Sequence, residues 1–313
     1  MSESIPASSV LAGATRRLRK GLQHPLVTHA ARLGTPTRLR ILAYHGIEEL
    51  ANFESAVVRI LDDYMPVNGD DIVAALTDRR PLPKWSVWFT FDDGLKSTLD
   101  AGETLAKHGI QATAFINPST YERPSFLWFQ ILDMAESQGV IAPTERAKFS
   151  RKRLKECPDA ERRAAIHELD GRLDPASKTL TASGSLSDLR DWVQLGHEVG
   201  NHTWDHPCLD NCDGEEQRRQ VERAHEWLVS NHFDPRFFAY PNGNWSSDSE
   251  GAARRLGYSA SVLFDHHLER LHGNPHMLSR LRISDSASRS RSASILSGAH
   301  SGLYHAARRL HSL

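Results

Sequence analysis

The sequence predicts an α/β fold built on a parallel sheet. Short apolar runs recur along the chain, and each is followed by a segment with helical spacing of its apolar residues. The chemistry-bearing residues gather at the C-terminal ends of those runs, where a closed or open parallel sheet presents its functional loops. The runs are RILAYHGI (40–47), WSVWFTF (85–91), QATAFIN (111–117), HEVGNH (197–202), RFFAYPNG (236–243), YSASVLF (258–264) and MLSRLRIS (277–284).

The first run leads into an amphipathic stretch starting near Phe53. After the second, Leu95, Leu99 and Leu105 mark one helical face, and Gly109 suits a C-cap. The third is followed by FLWFQILDMAESQG, the fourth by a helix in which Val221, Ala224, Trp227 and Leu228 share a face. The fifth precedes SSDSEGAARRLG, opened by a serine cap. Between Ser119 and Leu186 this rhythm breaks into a charged helical stretch, expected as an insertion beside the functional face. The expected organisation is an N-terminal extension (1–39), a main α/β unit (40–284, with 119–186 mainly insertion) and a C-terminal tail (285–313).

With 313 residues, 39% of them hydrophobic and 25% charged, the chain can bury a sizeable core and is not of the disordered class. A formal net charge of −1 gives no global signature for nucleic acid, and no nucleic-acid partner is expected. Cys157, Cys208 and Cys212 fit no disulfide framework. Cys208 and Cys212 are four apart near histidines, where reduced thiols are favoured over a metal clip. The N-terminal segment lacks the apolar core of a signal peptide, and no stretch is long enough to span a bilayer, so the expected location is cytoplasmic. The basic, partly apolar stretch from Thr15 to Leu33 reads as a solvated helix or as one lying peripherally on a membrane.

Asp92 and Asp93 end the second run, in FTFDDG. Adjacent carboxylates at the end of a buried strand repel each other, and desolvation adds to the cost. Asp-Asp-Gly alone is ordinary turn chemistry. His202 and His206, in GHEVGNHTWDH, change the balance. Imidazole nitrogens with one carboxylate make an open site for a divalent first-row metal, which would absorb the charge. One aspartate would bind the ion and the other would act as general base toward its water.

FTFDDG, HEVGNHTWDHP and FFAYPNG, in that order, resemble the polysaccharide deacetylases of the NodB-homology group, carbohydrate esterase family 4. The resemblance covers roughly residues 40 to 284. It implies a distorted (β/α) barrel of about seven strands with a helical insertion, and a hydrolase that removes N-acetyl groups from a glycan, oligosaccharide or glycan precursor, with O-acetyl esters as a further class. It implies Asp92 as catalytic base, and Asp93, His202 and His206 as ligands of one divalent ion: zinc first, with cobalt, nickel or manganese as alternatives. Metal-bound water would attack the acetyl carbonyl. The backbone N–H of Asn242 matches the donor to the developing oxyanion, and Tyr240 and Pro241 would shape the acetyl pocket.

Three features depart from that pattern. The arginine that orients the catalytic aspartate in many family members aligns with Ala239 here. The tryptophan motif is missing after SASVLFD, and the late Leu-x-His that supplies the general acid is replaced by MLSRLRIS, with Arg280 and Arg282. The early Tyr44-His45 pair and the AYPxG motif resemble the branch of exopolysaccharide deacetylases. His45 is therefore the candidate acid or orienting group, with a structural histidine as the alternative. The competing function is a catalytically silent glycan-binding protein on a deacetylase scaffold.

Overall fold

In a computed structural model of the chain, the residues described are 20–123, 125–174, 176 and 183–301. Aromatic and β-branched residues concentrate in the runs that form strands: β1 (Arg40–Tyr44), β2 (Met65–Pro66), β3 (Ser86–Phe91), β4 (Thr113–Ile116), β5 (Glu198–Asn201), β6 (Phe237–Ala239), β7 (Ala260–Val262) and β8 (Leu281–Arg282). Seven of them lie in the order β7-β6-β5-β4-β3-β1-β8, with β2 paired beside the start of β3. Every pairing of these strands is parallel.

The two edges of this sheet come together. β8 pairs with β1, while the residues just before it bond to the other edge: Leu278 N–H donates to the Ser261 carbonyl and Leu263 N–H to the Leu278 carbonyl. The sheet is thus curled into the distorted (β/α) barrel with about seven strands. Alternation along β3 sorts its side chains. Val87, Phe89 and Phe91 pack with Leu42 and Tyr44 in one apolar cluster, whereas Trp88 packs with Ile41, Phe115, Phe237 and Val262 in the barrel interior. Thr90 and Asp92 continue the interior row, which is why an ionisable group stands at its top.

Two elements differ from the sequence expectation. The helix read after β3 is split into Lys96–Leu99 and Gly102–Lys107, and at the junction the Ala101 N–H donates to the Thr98 carbonyl at 3.1 Å, three residues back rather than four. The last run, read as one strand, is divided between the Leu278 bridge to β7 and the short β8. A single segment cannot run straight while it pairs with both edges.

The stretch between β4 and β5 holds helices Trp128–Ser137, Arg151–Glu156 and Asp159–Arg172, which share their own apolar cluster. Cys208, in the loop after β5, belongs to that cluster and ties it to the mouth of the barrel. Residues 15–19 of the basic N-terminal stretch and 302–313 of the tail lie outside the described residues. Within them, helix Pro25–Leu33 packs against helix Arg289–Ser297.

Candidate active site

Parallel registry brings the early and middle runs together. β1 and β3 pair with Tyr44 opposite Phe91, and the Asp92 N–H donates to the Tyr44 carbonyl at 2.8 Å. The next residues are therefore neighbours, with His45 Nε2 3.7 Å from Asp92 Oδ2. The chain then turns through Asp93 and Gly94, both at positive φ (71° and 62°). Gly94 is required twice over: a Cβ there would lie 2.5 Å from the Tyr121 hydroxyl, which donates to the Gly94 carbonyl.

The histidine loop is built with equal care for its backbone. Asn117 Nδ2 donates to the carbonyls of His202 (2.5 Å) and Thr203 (3.1 Å), and Thr203 N–H donates to Asn201 Oδ1. Thr203 and His206 both hold positive φ, at 69° and 58°. Non-glycine residues in that region are uncommon and collect where surrounding contacts enforce them. Trp128 of the insertion secures the far end by donating its indole N–H to the His206 carbonyl at 3.0 Å.

These two turns converge on one point. Asp93 Oδ1 lies 3.5 Å from His206 Nε2 and 3.7 Å from His202 Nε2, and all three side chains are buried. Among the described residues this is the one group of three or more His, Cys, Asp or Glu with ligand atoms gathered, all within 4.8 Å of one another. Asp93 Oδ1 has no hydrogen-bond partner. Burial, and then the neighbouring Asp92, push its carboxyl well above the usual range. Burial also holds both imidazoles below their ordinary value, most strongly His206. His202 turns its Nδ1 to the Ala239 carbonyl at 2.7 Å, which leaves the Nε2 lone pair facing Asp93. An orphaned carboxylate oxygen facing two neutral imidazole nitrogens is a donor set suited to a divalent ion. Cys208 and Cys212 are free thiols outside this group.

Asp92 is held differently. Arg280, fully buried, donates Nη1 to its Oδ1 at 2.6 Å and Nη2 to its Oδ2 at 2.8 Å. A third guanidinium bond, from Nε to the Leu263 carbonyl at 2.8 Å, fixes the fork. Burial pushes the Asp92 carboxyl up, but Arg280, His202 and His45 outweigh it and hold the group below its ordinary value. The arginine that holds Asp92, expected at the position of Ala239, thus comes from the segment that closes the barrel. No local motif announces it, because Arg280 and Asp92 are 188 residues apart.

His45 stands at the mouth with 35% of its side chain exposed. Crowding by protein pushes its imidazole down, Asp92 draws it up, and Arg280 and Arg282 push it down again, to about 4. Its ring meets Phe264 edge-on at 5.0 Å. Phe264 also presses on the third motif: a Cβ on Gly243 would lie 2.6 Å from the Phe264 backbone nitrogen. Phe264 closes the run SASVLF, just before the place where the missing tryptophan motif was sought, and its position beside His45 shows only once the barrel closes.

In the third motif Asn242 takes a left-handed conformation (φ 56°), and no carbonyl among the described residues accepts its backbone N–H. Its side chain reaches Cys208 Sγ at 3.6 Å, and Asn244 bonds Asp210 at 2.5 Å, so this loop and the histidine loop are tied together. Pro241 is buried beside it. Tyr240 is not brought to the mouth. It is fully buried against Phe238, and its hydroxyl donates to the His276 carbonyl at 3.0 Å.

The family model described as polysaccharide deacetylase matches residues 79–261, more than half of the chain. The chain belongs to the polysaccharide deacetylase family. A chitooligosaccharide deacetylase of Azorhizobium caulinodans is 36% identical over 64 residues, which is 20% of this chain and 30% of that protein. The match therefore spans less than a third of that relative's length. Among solved structures, the deacetylase PplD of Streptococcus pyogenes, in complex with acetate, superposes with a TM-score of 0.60 at 18% identity, covering 84% of this chain and 99% of that one. IcaB from Ammonifex degensii gives 0.58 at 16% identity, with 83% and 97% covered. At these identities the structural likeness speaks for the fold of this family member.

Proposed function

We propose that this polysaccharide deacetylase family member is a divalent-cation-dependent hydrolase that removes acetyl groups, N-linked first, from an acetylated glycan, oligosaccharide or glycan precursor. The observation that carries the reading is the division of labour between adjacent carboxylates. Asp92 is locked and kept ionised by Arg280, while Asp93 turns an orphaned oxygen to two imidazole nitrogens. Asp93, His202 and His206 would hold the ion. A divalent cation bound there supplies Lewis acidity, polarising the acetyl carbonyl and acidifying water.

The residues of the chain account for the rest. Asp92 takes the proton of the attacking water as general base, and its Arg280 fork fixes which oxygen faces the substrate. Water oxygen bonds to the acetyl carbon, the C–N bond breaks, and acetate and a free amine leave. The Asn242 N–H faces the oxyanion that develops on the acetyl oxygen. His45, uncharged at rest and with Nε2 3.7 Å from Asp92 Oδ2, would relay to the leaving amine the proton that Asp92 takes from water. Phe264 and Pro241 exclude water around the acetyl methyl group, and Tyr240 acts through the backbone by anchoring that loop to His276. Arg280 also answers one argument for a silent binder, since the arginine that seemed lost is present.

The test is acetate release from a series of N-acetylated oligosaccharides, before and after chelator treatment and with zinc, cobalt, nickel or manganese restored. The reading expects activity that disappears with the ion, returns with it, and is absent from Asp92→Asn. Acetate release insensitive to chelator and to Asp92→Asn would overturn it.

A further inference from the structure

At the pole of the barrel opposite the candidate active site, the N-terminal strand ends surround a cavity of about 610 Å³. Its lining comes from the residues before β1, the end of helix Gly69–Thr77 with the loop that follows it, and the segment after β7. Arg38, Arg79, Arg80, Arg270 and His272 line this space, and among the described residues no aspartate or glutamate does.

The concentration of charge is built in by the fold. Leu39 and Glu269 form an antiparallel bridge, each donating its N–H to the other's carbonyl at 3.0 and 2.9 Å. That register sets Arg38 directly across from Arg270, and like charges in such cross-strand positions destabilise the pairing. None of Arg38, Arg79, Arg80 and Arg270 is in an ion pair among the described residues. In the insertion, by contrast, Arg151, Arg153, Arg162, Arg163 and Arg172 each hold a carboxylate. Glu269 adjoins the cluster but forms no ion pair with these arginines among the described residues, its oxygens being turned to backbone N–H groups. Its Oε1 accepts the N–H groups of Arg270 and Leu271, and its Oε2 accepts that of Ser279. Arg79 and Leu271, on opposite sides of the cavity, both sit at positive φ (54° and 56°), so the loops are shaped rather than extended.

We propose that this cavity is a binding site for a diphosphate-bearing ligand. Guanidinium forks match phosphate oxygens in pairs, and four arginines lining one cavity with no carboxylate in that lining suit an anion with more than one charged group. The volume lies in the range of ordinary ligand sites. A free nucleotide and a lipid headgroup share this chemistry.

The probe is inorganic pyrophosphate, titrated calorimetrically into the full chain. Variants are Arg270→Glu and Arg80→Ala, with Arg255→Ala as a surface control whose partner is Glu222. Thermal melts report whether each variant folds, and Arg80 is exposed enough to be removed without disturbing the bridge. The expected result is one pyrophosphate per chain. Binding should weaken at least tenfold in Arg270→Glu and about threefold in Arg80→Ala, and stay unchanged in Arg255→Ala. ADP binding tighter than pyrophosphate would mark a nucleotide as the source. Sedimentation with vesicles carrying diacylglycerol diphosphate but not with phosphatidylcholine vesicles, abolished in Arg270→Glu, would mark a headgroup. A parent that does not bind pyrophosphate overturns the proposal, and so does equal affinity in parent and folded Arg270→Glu.

Discussion

The mouth of the barrel and the helical insertion are both rich in charge, and they treat it in opposite ways. In the insertion, charges are matched, most of them at the surface: Lys148 bonds Glu168, Arg153 bonds Glu161 and Arg151 bonds Asp133. Such pairs are solvated and contribute little each. At the mouth, Asp92, Asp93, His202, His206 and Arg280 are all buried, and one carboxylate oxygen is left without a partner. Burial multiplies the cost of an unmatched charge. Chemistry is therefore to be sought where the fold tolerates that cost, and a dense run of surface ion pairs such as 145–172 is the wrong place to look.

The sharpest way to break this contrast is to remove the base. Asp92→Asn keeps the shape of the carboxyl group and is expected to lower kcat by about 10²–10⁴, the usual reach of general base catalysis, while the ion is still held. Steady-state kinetics with metal analysis checks both halves. Next comes the clamp. Arg280→Met leaves Asp92 buried and unpaired, and should cost about 3–5 kcal/mol of stability in denaturant unfolding. The double variant Asp92→Leu with Arg280→Met should unfold at higher denaturant than Arg280→Met alone, because no buried charge is then stranded. If the single and double variants were equally unstable, packing rather than charge would be the cause.

His45→Ala should reduce turnover by a factor within that same 10²–10⁴ range, with metal affinity unchanged. Unchanged turnover would remove His45 from the mechanism. The smallest effect belongs to the insertion, where Arg153→Ala breaks an exposed pair with Glu161 and should leave the denaturant midpoint of unfolding nearly unchanged. Asp159 gives the same region a pH dependence. Burial pushes its carboxyl up, but Arg162 and Arg163 outweigh that and hold it below the ordinary value. A carboxyl lower in the folded chain than in the unfolded one adds stability above the unfolded value, about 3.9. That stability is lost as the pH falls through the folded value. Amide exchange across 159–172 should therefore quicken below about pH 4 in the parent, relative to its intrinsic rate. The acceleration should be weaker in Asp159→Asn, and equal acceleration in both would exclude this carboxyl as the cause.

Strand-then-helix alternation and its arrangement in parallel pairs were legible in the sequence, because the apolar runs of β1, β3, β4 and β5 are long enough to be read alone. So was the meeting of Asp93 with His202 and His206, since each stands at the end of such a run. Arg280 was not legible as the partner of Asp92. It follows from barrel closure, a long-range event that leaves no local periodicity. Phe264 was missed for a related reason, because its contact with His45 depends on β7 and β1 approaching across the last segment. Tyr240 was placed in the pocket by its neighbours in the motif. Period-two alternation with Phe238 turns it instead to the apolar layer outside the barrel interior. β2, only two residues long, carries too little pattern to be read.

The central claim is that the orphaned Asp93 oxygen belongs to a metal. Metal content and affinity, measured by mass spectrometry and titration for the parent, Asp93→Ala and His206→Ala, test it without any knowledge of the substrate. The account predicts one tightly held divalent ion per parent chain, lost in both variants while they remain folded. A parent that takes up none of zinc, cobalt, nickel or manganese, or variants that bind as tightly as the parent, would contradict it.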